Sequence, residues 1–128
     1  DRAAVFSEAR RVLRPGGVLV FSDVLLAEDA PEDLARAFTA VNAVHRLGTP
    51  ADYARDLRQA GFADIRCEDW SPHLPANFLR MRRQIDRLRP RMLEEGVEAG
   101  LLDRFAAALE ERLRWPAGSV LQWRAYLA

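Results

Sequence analysis

Lysine is absent from this sequence, so all 19 basic side chains are arginine, set against 19 aspartates and glutamates. The resulting zero formal charge removes any electrostatic case for nucleic acid. The arginine bias matches a GC-rich coding preference and carries no functional weight. Cysteine occurs once, at Cys67, which excludes an internal disulfide. With no histidine or second cysteine at ligand spacing, no metal is expected. No apolar run approaches the length of a membrane span or the layout of a secretory leader. A reducing, cytoplasmic setting with no membrane partner is the expectation. An initiator methionine is also missing, since the chain opens at Asp1 inside a helical pattern, which reads as a chain cut upstream. What is present is a 128-residue sequence, 49% apolar and 30% charged, the balance of one globular folding unit or part of one rather than a disordered tail.

The apolar spacing supplies the elements. Val5, Phe6, Ala9, Val12 and Leu13 recur at helical intervals with Arg10, Arg11 and Arg14 opposite, an amphipathic helix stopped by Pro15-Gly16-Gly17. Residues 18–21, Val-Leu-Val-Phe, form an unbroken apolar run. That predicts a strand covered on both faces, with Ser22 and Asp23 at its carboxyl end. Asp29 and Pro31 mark a helix start, and Leu34, Phe38, Val41 and His45 share its face until Gly48. Thr49, Pro50 and Asp52 open a second helix that runs through Tyr53 and Leu57 to Gly61. Residues 62–70 alternate at Ile65 and Cys67 against Arg66 and Glu68, predicting a strand with one wet face near a sheet edge. A long arginine-rich helix follows from Pro75, with Phe78, Met81, Ile85, Leu88 and Met92 as its stripe, interrupted or ended around Pro90 and Gly96. Another helix spans residues 101–113, and residues 119–127 read as a final strand. The predicted order is helix, strand, two helices, strand, two helices, strand.

The segment from Phe6 to Asp23, with its Leu13-Arg14-Pro15-Gly16-Gly17 turn, buried strand and Ser22-Asp23 end, resembles the second half of a class I methyltransferase that uses S-adenosylmethionine. The later Leu57-Arg58-Gln59-Ala60-Gly61-Phe62 segment is similar to the same family at the expected distance. Residues 44–53 and the stretch from His73-Leu74-Pro75 to Arg82 further resemble sarcosine and dimethylglycine N-methyltransferases, and sugar O-methyltransferases of natural-product pathways look similar. The resemblance implies an α/β, Rossmann-like sheet of seven strands. This chain would hold the last three, the final one antiparallel, as the C-terminal part of one methyltransferase domain. It also implies that the glycine-rich cofactor loop and the ribose-holding acid lie upstream, leaving Asp1 and Arg2 as the candidate cofactor contacts.

Methyl transfer is an in-line displacement, which an enzyme serves by aligning the acceptor and excluding water. Open sheets of this type bind ligands beyond the carboxyl ends of their strands, which places Ser22 and Asp23 at the pocket; Asp23 has a turn cap as its ordinary alternative. His45, on the inward helical face, is a candidate for accepting a proton or orienting a substrate, against the commoner role of a buried, hydrogen-bonded histidine. A small amine bearing a carboxylate calls for an arginine fork, from Arg46 or Arg80, and an aromatic wall, from Tyr53, Trp70 or Trp123. His73 completes the candidates. The structural alternatives are a solvated arginine face and core tryptophans. Two functional classes stand open: a fragment of a small-molecule methyltransferase, inactive alone and prone to dimerise or exchange strands through an exposed edge, or a non-catalytic binding or dimerisation module derived from one.

Overall fold

A computed structural model of the chain describes residues 1–41 and 46–128. Helix α1 spans Arg2–Val12, with the Asp1 carboxylate accepting from the Ala3 and Ala4 amides at 3.0 and 3.4 Å. Strand β1 covers Val20–Leu26, α2 Glu32–Val41, α3 Pro50–Gln59 and β2 Arg66–Asp69. A single 3-10 turn at Ser71–His73 leads into α4, Leu74–Glu94, then α5, Ala99–Arg112, and β3, Leu121–Leu127. The order of helices and strands is the one the apolar spacing predicts. No helix among the described residues is long and apolar enough to cross a membrane.

The three strands lie in the order β1-β3-β2, with β3 antiparallel to both neighbours. Val20 opposes Leu127 and Leu26 opposes Leu121, while Arg66 opposes Leu127 and Asp69 opposes Arg124. Alternation then divides the sheet into two faces. Phe21, Asp23, Leu25 and Tyr126 point toward α1 and α3, where Phe6, Leu25, Tyr53, Leu57, Phe62 and Tyr126 form one core. Val24, Leu26, Leu121 and Trp123 lie on the other face, where Leu74, Phe78, Leu109, Val120 and Leu121 form a second core under α4 and α5. The buried Arg112 sets its guanidinium carbon 4.4 Å from the centre of the Phe38 ring, joining α5 to α2.

Three sequence expectations need correction. The strand predicted at residues 18–21 begins two residues later and runs to Leu26, so Ser22 and Asp23 sit in its middle rather than at its carboxyl end. Its start is not covered on both faces either: Val18 and Val20 are 54% and 69% exposed, because nothing packs on that corner of the sheet. Strand β2 is wet on both faces instead of one, with Cys67 exposed, since it lies at the sheet edge. Helix α4 passes through Pro90 instead of stopping there. Proline in a helix interior costs about 3 kcal/mol, but Arg82 to Glu110 and Arg89 to Asp103, at 2.9 and 2.8 Å, clamp α4 to α5 on the N-terminal side of Pro90. The helix ends before Gly96, whose φ of 88° provides the left-handed turn that glycine adopts without strain.

The α3 start combines three signals: the Thr49 hydroxyl accepts from the Asp52 amide, Asp52 answers the Thr49 amide, and Pro50 occupies the first turn. Removing this cap with Thr49→Ala is expected to cost about 1 kcal/mol, and Leu57→Ala, at a fully buried site, about 2–5 kcal/mol. Urea denaturation of the two variants checks that ranking. The Tyr53 phenol is pushed up chiefly by burial and then by its hydrogen bond to Asp23, and that of Tyr126 by burial and then by the neighbouring Cys67. Because the folded state raises both, their contribution is fully present below the ordinary phenol value of about 10 and is lost as pH rises above it. Tyr53→Phe is therefore expected to flatten the alkaline fall in melting temperature, measured by circular dichroism.

Candidate functional site

The first turn of α1, the middle of β1, the loop before α3 and the first turns of α3 meet at one hollow. Arg2, Phe6, Phe21, Asp23, Arg46 and Tyr53 contribute to its lining, and its volume is about 400 Å³. Its floor is aromatic. Tyr53 and Tyr126 stack at 5.6 Å between ring centres, Phe21 and Tyr126 at 5.0 Å, and Phe6 closes on Phe21 at 5.4 Å. The Tyr53 hydroxyl donates to Asp23 Oδ2, and Asp23 Oδ1 accepts from the Val24 amide at 2.8 Å. The Arg2 guanidinium carbon lies 4.3 Å from the centre of the Tyr53 ring, a cation over an aromatic face.

Arg2 is held there by Asp56, whose Oδ2 receives Arg2 Nε at 2.9 Å and Nη2 at 2.8 Å. Gly48 leaves room for it: a β-carbon at that position would stand 2.0 Å from Arg2 Nη1. Arg46 differs from Arg2. Its side chain is 83% exposed and its nearest carboxylate, on Asp52, is 4.0 Å away. The Thr49 backbone amide holds the Asp52 carboxyl below the usual range, with Arg55 adding to the effect. Among the described residues the site thus presents one carboxylate fixed by a phenol, one cation paired closely with Asp56 and one exposed cation with a long contact to Asp52. A second, more polar hollow of about 420 Å³ adjoins it through Arg2 and Arg46 and includes Asp1, Arg55 and Asp56.

Of the residues singled out from sequence, the structure brings together Asp23, Arg46, Tyr53 and Arg2. Ser22 is not among them. Adjacent strand residues point to opposite faces, so Ser22 lines a different hollow across the sheet. Trp123 lies on that far face too, edge-on to Trp70 at 5.4 Å. His73 is exposed in the 3-10 turn, and Arg80 is exposed on α4 with Nη2 3.0 Å from Asn77 Oδ1. His45 lies outside the described residues. Of the candidate cofactor contacts, Asp1 spends its carboxylate on the α1 cap and Arg2 its guanidinium on Asp56. The sequence reading missed Asp56, Gly48, Phe6 and Phe21 as site residues. For Asp56 a signal existed: it shares the buried helical face with Tyr53 and Leu57, where an unpaired acid would not stand.

No family model matches the chain. It is 35% identical over 123 residues to a sarcosine/dimethylglycine N-methyltransferase of Halorhodospira halochloris, a match covering 96% of this chain and 44% of that protein. Its fold superimposes with a TM-score of 0.84 on a Galdieria sulphuraria chain assigned as a sarcosine dimethylglycine methyltransferase, at 17% identity, covering 99% of this chain and 46% of that one. A Haemonchus contortus phosphoethanolamine N-methyltransferase, solved with phosphomonomethylethanolamine and S-adenosylhomocysteine, aligns at TM-score 0.78 and 19% identity over 100% of this chain and 29% of its own. The chain spans less than half the length of these relatives. Over nearly its whole length the chain is similar in sequence to sarcosine/dimethylglycine N-methyltransferases, and its fold is that of the solved methyltransferases.

Proposed function

We propose that this chain is the C-terminal, acceptor-side part of a methyltransferase that acts on a small amine carrying a carboxylate, with sarcosine and dimethylglycine as the first substrates. The observation that carries the reading is the fixed Asp23–Tyr53 pair beside aromatic rings, with the exposed Arg46 among the lining residues. The name of the Halorhodospira relative supports the substrate class. S-adenosylmethionine, held mainly by the part of the protein this chain does not span, supplies the methyl group.

The roles within this chain follow from charge and position. Arg46 pairs with the acceptor carboxylate, and its loose tie to Asp52 leaves it free to do so. The rings of Tyr53 and Phe21 face the amine, where an aromatic wall favours the developing ammonium. Asp23, oriented by Tyr53 and the Val24 amide, stabilises that positive charge and accepts the acceptor's proton where there is one to lose. The setting proposed is a reducing compartment.

The first test joins the chain to its upstream coding sequence and measures transfer from labelled S-adenosylmethionine to sarcosine and dimethylglycine. Asp23→Asn is expected to lower kcat/KM by about 10²-fold, the small end of acid-base effects. Ser22→Ala, on the opposite face, is expected to change it less than about twofold. Failure of the unmodified protein to methylate any amine or hydroxyl acceptor overturns the proposal. The second test concerns the chain by itself. Among the described residues the outer edge of β1 pairs with no other strand, its one bond there running from the Leu26 amide to the Gly48 carbonyl, which leaves a template for pairing with another chain. We expect dimers or larger species in size-exclusion chromatography and no methyl transfer, and a clean monomer at high concentration contradicts the edge-pairing part.

A further inference from the structure

Arg112 is the last residue of α5, and it is buried, only 6% exposed. Its guanidinium lies over the Phe38 ring of α2. Among the described residues it makes no ion pair and donates no hydrogen bond, and residues 42–45, Asn-Ala-Val-His, include no acid. Glu111 is the one acid whose attraction reaches it, and chain neighbours on a helix do not face each other. The Phe38 face and the carboxyl end of α5 offset part of the charge. Burial nevertheless holds the guanidinium below its ordinary value. Arginine stays charged at any working pH, so a buried one calls for an anion. Two small hollows flank it. One of about 30 Å³ lies between α2 and α5, walled by Ala37, Phe38, Ala108 and Trp115 and lined also by the exposed Glu111. The other, of about 10 Å³, lies toward Phe78 and Leu121.

We infer that the hollow between α2 and α5 binds one halide ion, held by the Arg112 guanidinium. Size limits the occupant: a hollow of about 30 Å³ holds about one or two water-sized particles. The carboxylate-bearing amine proposed for the Asp23 pocket does not fit. Charge then selects among what does. Water fills the space and leaves the cation unanswered, whereas a monatomic anion fills it and neutralises the charge. The walls favour a halide over an oxyanion, because alanine methyls and aromatic rings offer an oxyanion no donors beyond those of Arg112. Glu111 opposes the anion, which places the affinity in a millimolar range. A bound halide fixes the Arg112 contact that joins α5 to α2, so it stabilises the packing of α2. The inference is independent of the reading of the Asp23 pocket, and its readout is binding rather than methyl transfer.

Chloride is the probe. Melting temperature is followed by circular dichroism while sodium gluconate, too large for the hollow, is replaced by sodium chloride at constant ionic strength. Raising chloride from about 1 to about 100 mM is expected to raise the melting temperature by about 5 °C, the mass-action effect of a millimolar site. Chlorine-35 resonances are expected to show excess broadening that bromide reverses. Arg112→Gln loses both responses, whereas Arg83→Gln, an exposed position on α4, keeps them. Glu111→Gln leaves Arg112 in place and removes the opposing charge, which tightens chloride binding about threefold. That variant decides the question if Arg112→Gln fails to fold. A melting temperature that stays constant as chloride replaces gluconate overturns the inference. So does broadening that persists in folded Arg112→Gln, or an unchanged affinity in Glu111→Gln, either of which assigns the chloride to other surface arginines.

Discussion

Asp56 is a carboxylate buried against α3's inward face, and the candidate site depends on how its charge is answered. Removing a carboxylate from water costs several kcal/mol unless its oxygens are filled. Here Oδ2 takes two nitrogens of Arg2, and Oδ1 takes Arg55 at 3.0–3.1 Å. Arg2 is thereby fixed flat over Tyr53, and Tyr53 directs its hydroxyl at Asp23. One buried charge thus ties the start of α1 to α3 and the middle of β1. It also sets Arg2 apart from Arg46. Arg2 is committed to the fold, and Arg46, whose contact with Asp52 is long and exposed, is not.

Gly48 shows how closely the loop before α3 is built around this arrangement. A β-carbon there overlaps the Arg2 guanidinium, so any other residue drives Arg2 off Tyr53 or moves the loop. The loop cannot move freely, because the Gly48 carbonyl accepts from the Leu26 amide at 3.0 Å and the Thr49–Asp52 cap begins at the next residue. The loop is thus anchored at Gly48 to β1 and at Thr49 to α3, two and three residues after Arg46.

Much of the fold was legible in the sequence. The capping residues at Thr49 and Asp52, the glycines at 16, 61 and 96, and the apolar stripes of α1, α4 and α5 each encode a local preference, and each element appears in the predicted order. What the sequence concealed was nonlocal. Residues 18–21 read as covered on both faces because an apolar run carries no record of which neighbours are present. Pro90 read as a break because its helix is held by apolar packing of Phe78 and Ile85 against Leu109 of α5, which local propensity cannot register. Asp23 and Tyr53, both singled out from sequence, meet in one hollow. The pairing of Arg2 with Asp56 is a contact across 54 residues that no local pattern encodes. Ser22 and Asp23 read as one pocket pair because they are adjacent, yet strand alternation sends neighbours to opposite faces. Alternation reaches them only because the strand runs on to Leu26.

Strand β3 explains why the two sides of the sheet remain linked despite that separation. It lies between β1 and β2 and pairs with both, so no β1–β2 pairing can stand in for it. Its alternate residues serve different tasks. Tyr126 stacks with Phe21 and Tyr53, whose rings line the Asp23 pocket, while Ala125 and Leu127 line the hollow on the other face. The partners of β1 therefore come from the far end of the sequence, and closing so long a loop precedes any reward from the pairing. Until β3 docks, β1 is unpaired along both edges and Tyr53 lacks half of its aromatic stack. The same event that completes the sheet completes the pocket, which makes an ordered Asp23–Tyr53 pair a property of the finished fold rather than of α1, β1 and α3 by themselves.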